Sequence, residues 1–177
     1  MNTKKSLGNS KGKGGFFNVS IKKQWLLNIF MVLLSWITFP FLGVKNIKRF
    51  LPASLIVGVL EIIHASIGKK RKWWVFYNKP NSYLFDELPF NLGPFLFVTF
   101  WTLKISFGNF KLFILLNGIA HAFFAYPYSY IAKRIKYYSL VRFSNFQFFI
   151  YFFSKSFLLY GLQYFLETKT KIVKRLT

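Results

Sequence analysis

Two long stretches without a charged residue constrain the fold of this chain more than any other feature. Trp25–Val44 runs for 20 residues and Leu112–Ala132 for 21, with His121 counted as neutral. About 20 helical residues, rising about 1.5 Å each, cross the hydrocarbon core of a bilayer. A soluble protein would have to bury several such stretches within 177 residues, which exceeds what a core of that size encloses. The stretches therefore predict membrane-spanning helices.

The composition extends the same pattern along the chain. Hydrophobic residues make up 54% and charged residues 16% of the sequence, against about 45–50% and about 25% in soluble domains. We predict an all-α fold, a polytopic transmembrane helix bundle of about five spans. The spans are placed near 25–44, 50–68, 90–108, 112–132 and 146–166.

The two ends of the chain differ from this bundle, which covers residues 24–168. Residues 1–23 are rich in Lys, Gly and Ser, which predicts a disordered basic tail, and residues 169–177 form a basic C-terminal tail. A cleaved signal peptide is the alternative for the first apolar stretch. That stretch is longer than a usual signal segment and no A-x-A-like site follows it, so an uncleaved helix is favoured.

Proline and glycine mark the links between spans. Pro40 and Gly43 close the first span and Pro52 opens the second, which predicts a tight turn over 45–49 and a hairpin of the first two spans. The longest connection runs from 69 to 89 and contains a turn signal, Asn78-Lys79-Pro80-Asn81-Ser82.

The charge balance predicts where the chain meets its surroundings. A formal net charge of +21 would suit nucleic-acid phosphates on a soluble protein. Here Lys and Arg cluster at the ends of the apolar blocks, which favours anionic lipid headgroups instead. With the N-terminus inside, the inner segments hold 15 Lys and Arg residues and the outer segments 8. This bias predicts a multi-pass protein of the cell membrane with a cytoplasmic N-terminus, although a re-entrant first stretch would give four spans and another sidedness.

Glu61 is the only acid within a predicted span. It shares one helical stripe with four small residues, Ser54, Gly58, Ala65 and Gly68, so it faces a packed neighbour and not lipid. Lys155 lies about 13 Å from the inner boundary and Glu61 about 10 Å. An unpaired charge in hydrocarbon costs several kcal/mol, so we predict an intramembrane ion pair between them. The pair would be a clamp between two helices or part of a proton or ion relay, unless the two residues never meet.

Three further polar residues within the spans, His64, Asn117 and His121, are candidate site residues. Glu61 and His64 have the Glu-x-x-His spacing of di-iron helix bundles, but those sites need several more carboxylates. We therefore expect no metal and place His64 near the inner interface. Asn117 and His121 share a face of the fourth span, which predicts interhelical hydrogen bonds.

The segment after the second span interleaves basic and aromatic residues: Lys69, Lys70, Arg71, Lys72, Trp73 and Trp74. Platforms that stack nucleic-acid bases look similar. Directly after a span, cations on anionic headgroups with Trp rings at headgroup level are favoured instead. Asp86 and Glu87 in the same connection would either pair with these cations or mark a docking loop for a partner.

The motifs of common enzymes are absent from the sequence. It contains no Gly-x-Ser-x-Gly, no His-Glu-x-x-His, no phosphate-binding P-loop and no Cys. We predict no catalytic residue, no cofactor and a non-enzymatic accessory or regulatory role in the membrane. The alternative is a small transporter or channel component that uses Glu61 and Lys155, with His64 and His121 beside its path. The expected partner is a bilayer with anionic headgroups and not nucleic acid; a protein partner or a homo-oligomer is left open.

Two short stretches carry a resemblance to known proteins. The Lys-Arg-Lys-Trp-Trp-Val-Phe-Tyr run over 70–77 and the Gly93-Pro94-Phe95 start of the third span resemble small multi-spanning membrane proteins of low-GC Gram-positive bacteria. The resemblance implies a membrane-embedded helical fold and brings no assigned activity with it.

Overall fold

A computed structural model describes residues 21–77 and 86–176 of the chain, and it confirms the predicted all-α helix bundle. Its long helical segments pack side by side, with the connections between them at the two ends. The helices are α1 (Ile21–Trp36), α2 (Phe39–Leu42), α3 (Val44–Lys70), α4 (Leu88–Ser106), α5 (Phe110–Arg134) and α6 (Asn145–Leu176). Two short strands complete the fold, β1 (Trp74–Phe76) and β2 (Tyr138–Leu140).

Within the described residues, four segments are long and apolar enough to cross a membrane: Gln24–Leu42, Val44–Lys70, Leu88–Ser106 and Phe110–Arg134. The remaining long helix, α6, is not among these four segments, because Lys155 and neighbouring polar residues lower its mean hydropathy. Its 32 residues nevertheless span about 48 Å. Large apolar side chains such as Leu26 and Ile119 cover the outside of the bundle. Soluble monomers rarely expose so much apolar surface, so this outer surface suits lipid.

The connections between helices gather at two opposite ends of the bundle. At one end, which we call the strand end, β1 pairs antiparallel with β2, and Trp74 lies opposite Leu140. At the other, which we call the turn end, Gly43 and Gly108 reverse the chain with φ of 79° and 100°, values that glycine adopts without strain. The described parts of the two basic connections over 69–89 and 133–142 therefore lie together, and each long helix runs from one end to the other.

The helix bounds differ from the predicted bounds at three places. Residues 45–49 were predicted as a link, but they are helical. The link between α2 and α3 is the single residue Gly43. Helix α6 continues to Leu176, through most of the predicted C-terminal tail, and α1 already begins at Ile21. The rest of the predicted N-terminal tail and the turn signal over 78–82 lie outside the described residues.

Helix α4 determines which helices are neighbours in the bundle. The chain reverses between α1 and α3 as predicted, but α1 packs mainly against α4. Gly93 makes this possible, since a Cβ there would lie 3.3 Å from the Met31 carbonyl oxygen. Helix α6 packs against α3 and α5. The interior forms one apolar cluster near the turn end and a second, richer in aromatic rings, near the strand end.

Helices α4 and α5 each contain a wide π-helical turn around a proline, at Asn91–Phe95 and Phe124–Tyr128. A proline cannot donate to the preceding turn, and backbone polar groups at membrane depth must find their partners within the protein. Trp36 Nε1 donates to the Leu92 carbonyl oxygen at 2.8 Å, and Asn145 Nδ2 donates to that of Ala125 at 2.9 Å. Neighbouring helices thus satisfy the backbone where it departs from the α-helix.

Candidate functional site: an intramembrane ion pair and an adjoining cavity

Glu61 and Lys155 meet inside the bundle, between α3 and α6. Lys155 Nζ donates a hydrogen bond to Glu61 Oε2. The Glu61 side chain is 3% exposed and the Lys155 side chain 9%. Removing two charges from water costs several kcal/mol for each ion, and their attraction offsets much of this cost only when the geometry is good. The pair therefore ties α3 to α6 inside the bundle.

Tyr151 completes the pair from the side of α6. Its hydroxyl donates to Glu61 Oε1 at 3.3 Å, and its ring centroid lies 3.4 Å from Lys155 Nζ. Both carboxylate oxygens are thus satisfied, and the ammonium gains a cation–π contact. Tyr151 was not among the residues predicted from the sequence. Its spacing of four residues before Lys155 was the available signal, because residues at i and i+4 share a helix face.

The small residues of α3 do not all serve the close packing that their stripe predicts. Ser54 and Ala65 are buried beside Glu61, but a Cβ on Gly58 would have nothing within 4 Å. Gly68 is the glycine that the packing requires, since a Cβ there would lie 2.6 Å from the Trp74 ring. The close approach in this stripe therefore lies at the strand end, at Gly68, and not at Gly58.

The three other polar residues predicted as candidates, His64, Asn117 and His121, form no hydrogen bond with Glu61 or Lys155. His64 is exposed, with its ring 6.2 Å from that of Tyr151. His121 Nε2 lies 3.1 Å from Ser156 Oγ, which links α5 to α6. Asn117 instead donates to the Phe113 carbonyl oxygen of its own helix at 2.9 Å. Within 21–77 and 86–176, no group of three His, Asp or Glu side chains is placed to hold a metal.

A cavity of about 50 Å³ lies between the ion pair and the strand end. Its wall is mostly aromatic, formed by Trp74, Phe76, Phe90, Phe124, Phe148 and Phe152. Its polar lining comes from Glu61, Glu87, Asn91 and Tyr138. Because about 10–15 Å³ suffices for one water molecule, the cavity has room for several atoms of a small guest.

Asp86 and Glu87 are buried acids at the strand end. Lys69 Nζ lies 3.3 Å from Asp86 Oδ2 and 3.8 Å from Glu87 Oε2. Trp74 Nε1 donates to Glu87 Oε1 at 3.4 Å. Burial raises the pKa of both carboxyls, and the Lys69 ammonium opposes this only in part. Asp86 Oδ1 and Glu87 Oε2 accept no hydrogen bond from a described residue.

The basic and aromatic residues predicted to bind headgroups fall into two groups, one exposed and one turned toward the protein. Three of the cations are exposed: Lys70, Arg71 and Lys72. Lys69 turns inward to the acids, so the predicted pairing of Asp86 and Glu87 with the basic cluster involves this one cation. Trp74 is only 8% exposed because Gly68 leaves room for its ring, and Trp73 stacks on Phe143 at 4.5 Å. Both indoles thus pack against other aromatic rings of the protein, and headgroup binding by this segment stays a prediction.

Comparison with protein-family models, curated proteins and solved structures finds no match for this chain. The resemblance to small bacterial membrane proteins therefore stays a prediction. Function has to be inferred from the geometry of the chain itself, above all from the ion pair, the cavity and the two ends of the bundle.

Proposed function

We propose that this chain is a non-enzymatic, multi-pass protein of the cell membrane that serves as an accessory or regulatory component. The observation that carries the proposal is the way the Glu61–Lys155 pair is enclosed. Both carboxylate oxygens and the ammonium have partners within α3 and α6. Charges satisfied in this way hold helices together, and His121 adds a second polar link, to Ser156.

The proposed orientation places the strand end in the cytoplasm. The strand pairing supports counting the two connections over 69–89 and 133–142 together, and they contribute nine of the 15 inner Lys and Arg residues. Basic residues accumulate on the cytoplasmic side. The exposed cations Lys70, Arg71 and Lys72 would then lie beside anionic headgroups, each contributing about 1 kcal/mol. Helix α6 ends at the turn end, where Glu167 pairs with Arg49, so the C-terminus would be external.

Reporter fusions test this orientation. A reporter joined after Leu140 should be active only in a form that reports the cytoplasm, and one joined at Thr177 only in a form that reports the outside. A cytoplasmic reporter at Thr177 would contradict five crossings and leave the four apolar segments as the spans.

A small transporter or channel component is the second candidate, and the cavity between Glu61 and Glu87 favours it. Proteoliposomes with an imposed voltage and pH gradient, read by dyes for both, separate the two functions. An accessory component should give no flux above empty vesicles. A transporter should give flux that is lost in the double variant Glu61→Gln with Lys155→Met and kept in Glu167→Gln, a matched removal of one acid at the turn end.

A further inference from the structure

Helices α3 and α5 end in the same way at the strand end. The sequence reads Gly-Lys-Lys-Arg-Lys-Trp-Trp over 68–74 and Ala-Lys-Arg-Ile-Lys-Tyr-Tyr over 132–138. In each segment a lysine in the left-handed region follows the helix, with φ of 54° at Lys72 and 55° at Lys136. The amide after this lysine donates back to the carbonyl oxygen of the segment's first residue, at 2.9 Å in one case and 2.8 Å in the other. Both helices therefore close with the same C-terminal cap.

The strand pairing relates these two helix ends by an approximate two-fold axis. Val75 lies opposite Ser139, and each directly follows the two aromatic residues of its segment. The neighbouring pairs of the register, and the two backbone hydrogen bonds that flank them, exchange under a rotation of half a turn about this central pair. The helices follow the same relation, since α3 and α5 each pack against both α4 and α6. The bundle thus contains two equivalent helix–strand–helix units, with α1 outside them.

The exposed cations of the two helix ends have no acid to pair with. The sequence has four acids, and each of them pairs with Arg49, Lys69 or Lys155. In the described part of the chain, five exposed cations at the helix ends form no ion pair with these acids: Lys70, Arg71, Lys72, Lys133 and Arg134. Their positive charges are therefore available to an anion from outside the chain.

The lengths of the two helices place these cations among lipid headgroups. Helix α3 has 27 residues and α5 has 25, so at about 1.5 Å per residue both are about 40 Å long. A bilayer with its headgroup regions is about 40–45 Å thick. Lys70 and Arg134 are the last residues of the two helices, so both groups of cations reach the headgroup layer when the helices cross the membrane.

We propose that the strand end binds two anionic phospholipids, one at each helix end, with the headgroup phosphate held by the cations of that end. Lys70, Arg71 and Lys72 form the first site, and Lys133 and Arg134 form the second. Charge-assisted hydrogen bonds from Lys and Arg to phosphate oxygens are short and strong. A zwitterionic headgroup fits poorly, because it brings an ammonium group among the cations.

Arg142 adds a cation from the second connection to the first site. It is exposed, and its amide donates to the Trp73 carbonyl oxygen at 3.3 Å, directly after the end of α3. Between the two sites the strand pair exposes Val75 and Tyr77. An apolar and aromatic surface suits the interface of a bilayer better than it suits a continuous polyanion such as nucleic acid.

This proposal deepens the headgroup contact of the proposed function by adding a second, equivalent site. It rests on the part of that function that places the strand end at a membrane surface, and not on the accessory role. Lipid binding is measured without regard to which side of the membrane the strand end faces. A failure here therefore leaves the reporter test of orientation untouched.

Native mass spectrometry of the full chain, released from detergent with added phosphatidylglycerol, counts the lipids bound to each molecule. The wild type should retain two phosphatidylglycerol molecules with similar affinity. At the same concentration it should retain no phosphatidylcholine. A smooth distribution of bound lipids that is the same for both headgroups would overturn the proposal.

Charge-matched double variants locate the two sites. Lys70→Gln with Arg71→Gln should remove one bound lipid, and Lys133→Gln with Arg134→Gln should remove the other. Affinity at the changed site should fall about tenfold or more, because each cation near an anionic headgroup adds to the attraction. All four residues are exposed, so the variants should fold as the wild type does. Two lipids still bound with unchanged affinity in both variants would rule the sites out.

A control at the other end of α3 separates sites from general attraction. Lys45→Gln with Lys48→Gln also removes two exposed cations, and both lipids should stay bound. An equal loss in all three double variants would mean that the net charge alone attracts lipid, which contradicts two discrete sites. Displacement of both lipids by single-stranded RNA at equal phosphate concentration would assign the surface to nucleic acid instead.

Discussion

The two ends of the bundle close in different ways. At the turn end, Gly43 and Gly108 reverse the chain within one to three residues, so little backbone is left outside helices. At the strand end, the connections are longer and their backbone enters the protein. Tyr77 N donates to the Tyr137 carbonyl oxygen at 3.2 Å, and Val141 N donates to that of Trp73 at 2.9 Å. Because buried backbone groups need partners, the longer connections pair with each other.

Polar side chains follow the same division. Arg49 and Glu167 pair through two hydrogen bonds at the turn end, but they are 44% and 21% exposed. At the strand end, Asp86 and Glu87 are buried, and the hydroxyl of Tyr137 donates to Asn28 Oδ1 on α1. Longer connections thus bring their own polar side chains inward. At the turn end the buried polar side chains come from the helices, among them Gln163.

The largest expected effect comes from the ion pair that borders the strand-end cavity. Glu61→Gln or Lys155→Met alone leaves one buried charge unpaired and should destabilise the protein by about 3–5 kcal/mol, while the double change is often nearly neutral. Folded yield and resistance to SDS, measured for both single variants and the double, form a mutant cycle. Strictly additive losses in the double variant would show that the two residues are not coupled.

The second prediction compares two glycines of one helix. Gly68→Ala places a Cβ 2.6 Å from the Trp74 ring, and such overpacking costs about 1–3 kcal/mol. Gly58→Ala is the matched control, since nothing lies within 4 Å of its Cβ, and alanine stabilises a helix by about 0.5–1 kcal/mol over glycine. Unfolding in SDS should therefore shift in opposite directions. Equal shifts would mean that the strand end does not depend on this close approach.

Only part of this fold and site could be predicted from the sequence alone. The helix bundle followed from the apolar stretches, and the Glu61–Lys155 contact followed from counting residues along two helices, because helical rise fixes depth. The strand pairing could not be predicted, since segments of three residues carry no readable alternation. The inward turn of Trp74 depends on the space above Gly68. The cavity depends on rings from several distant segments, whose approach no local pattern encodes.

The third prediction uses pH to separate the two ends. Burial raises the pKa of Glu87, so its carboxyl stabilises the fold below its unfolded pKa of about 4.3 and loses this contribution as the pH rises through the raised folded value. Wild type should therefore lose thermal stability relative to Glu87→Gln as the pH increases from about 4 to about 8. The matched variant Glu167→Gln should not show this rising difference. A difference between wild type and Glu87→Gln that stays constant with pH would mean that Glu87 keeps its ordinary pKa.

The smallest effect is expected at the turn end, from the Arg49–Glu167 pair. Glu167→Gln should lower stability by about 0.2–1 kcal/mol, because water screens exposed pairs and their side chains lose entropy in holding one geometry. The loss should shrink further in about 1 M salt, where the Debye length falls to about 3 Å. Gln163 Nε2 also donates to Glu167 Oε1 at 3.0 Å, and a glutamine at 167 keeps an oxygen for that bond. Urea or SDS titrations at low and high salt measure both quantities. A loss as large as that of Glu61→Gln, unaffected by salt, would mean that the turn end also depends on a charge shielded from water.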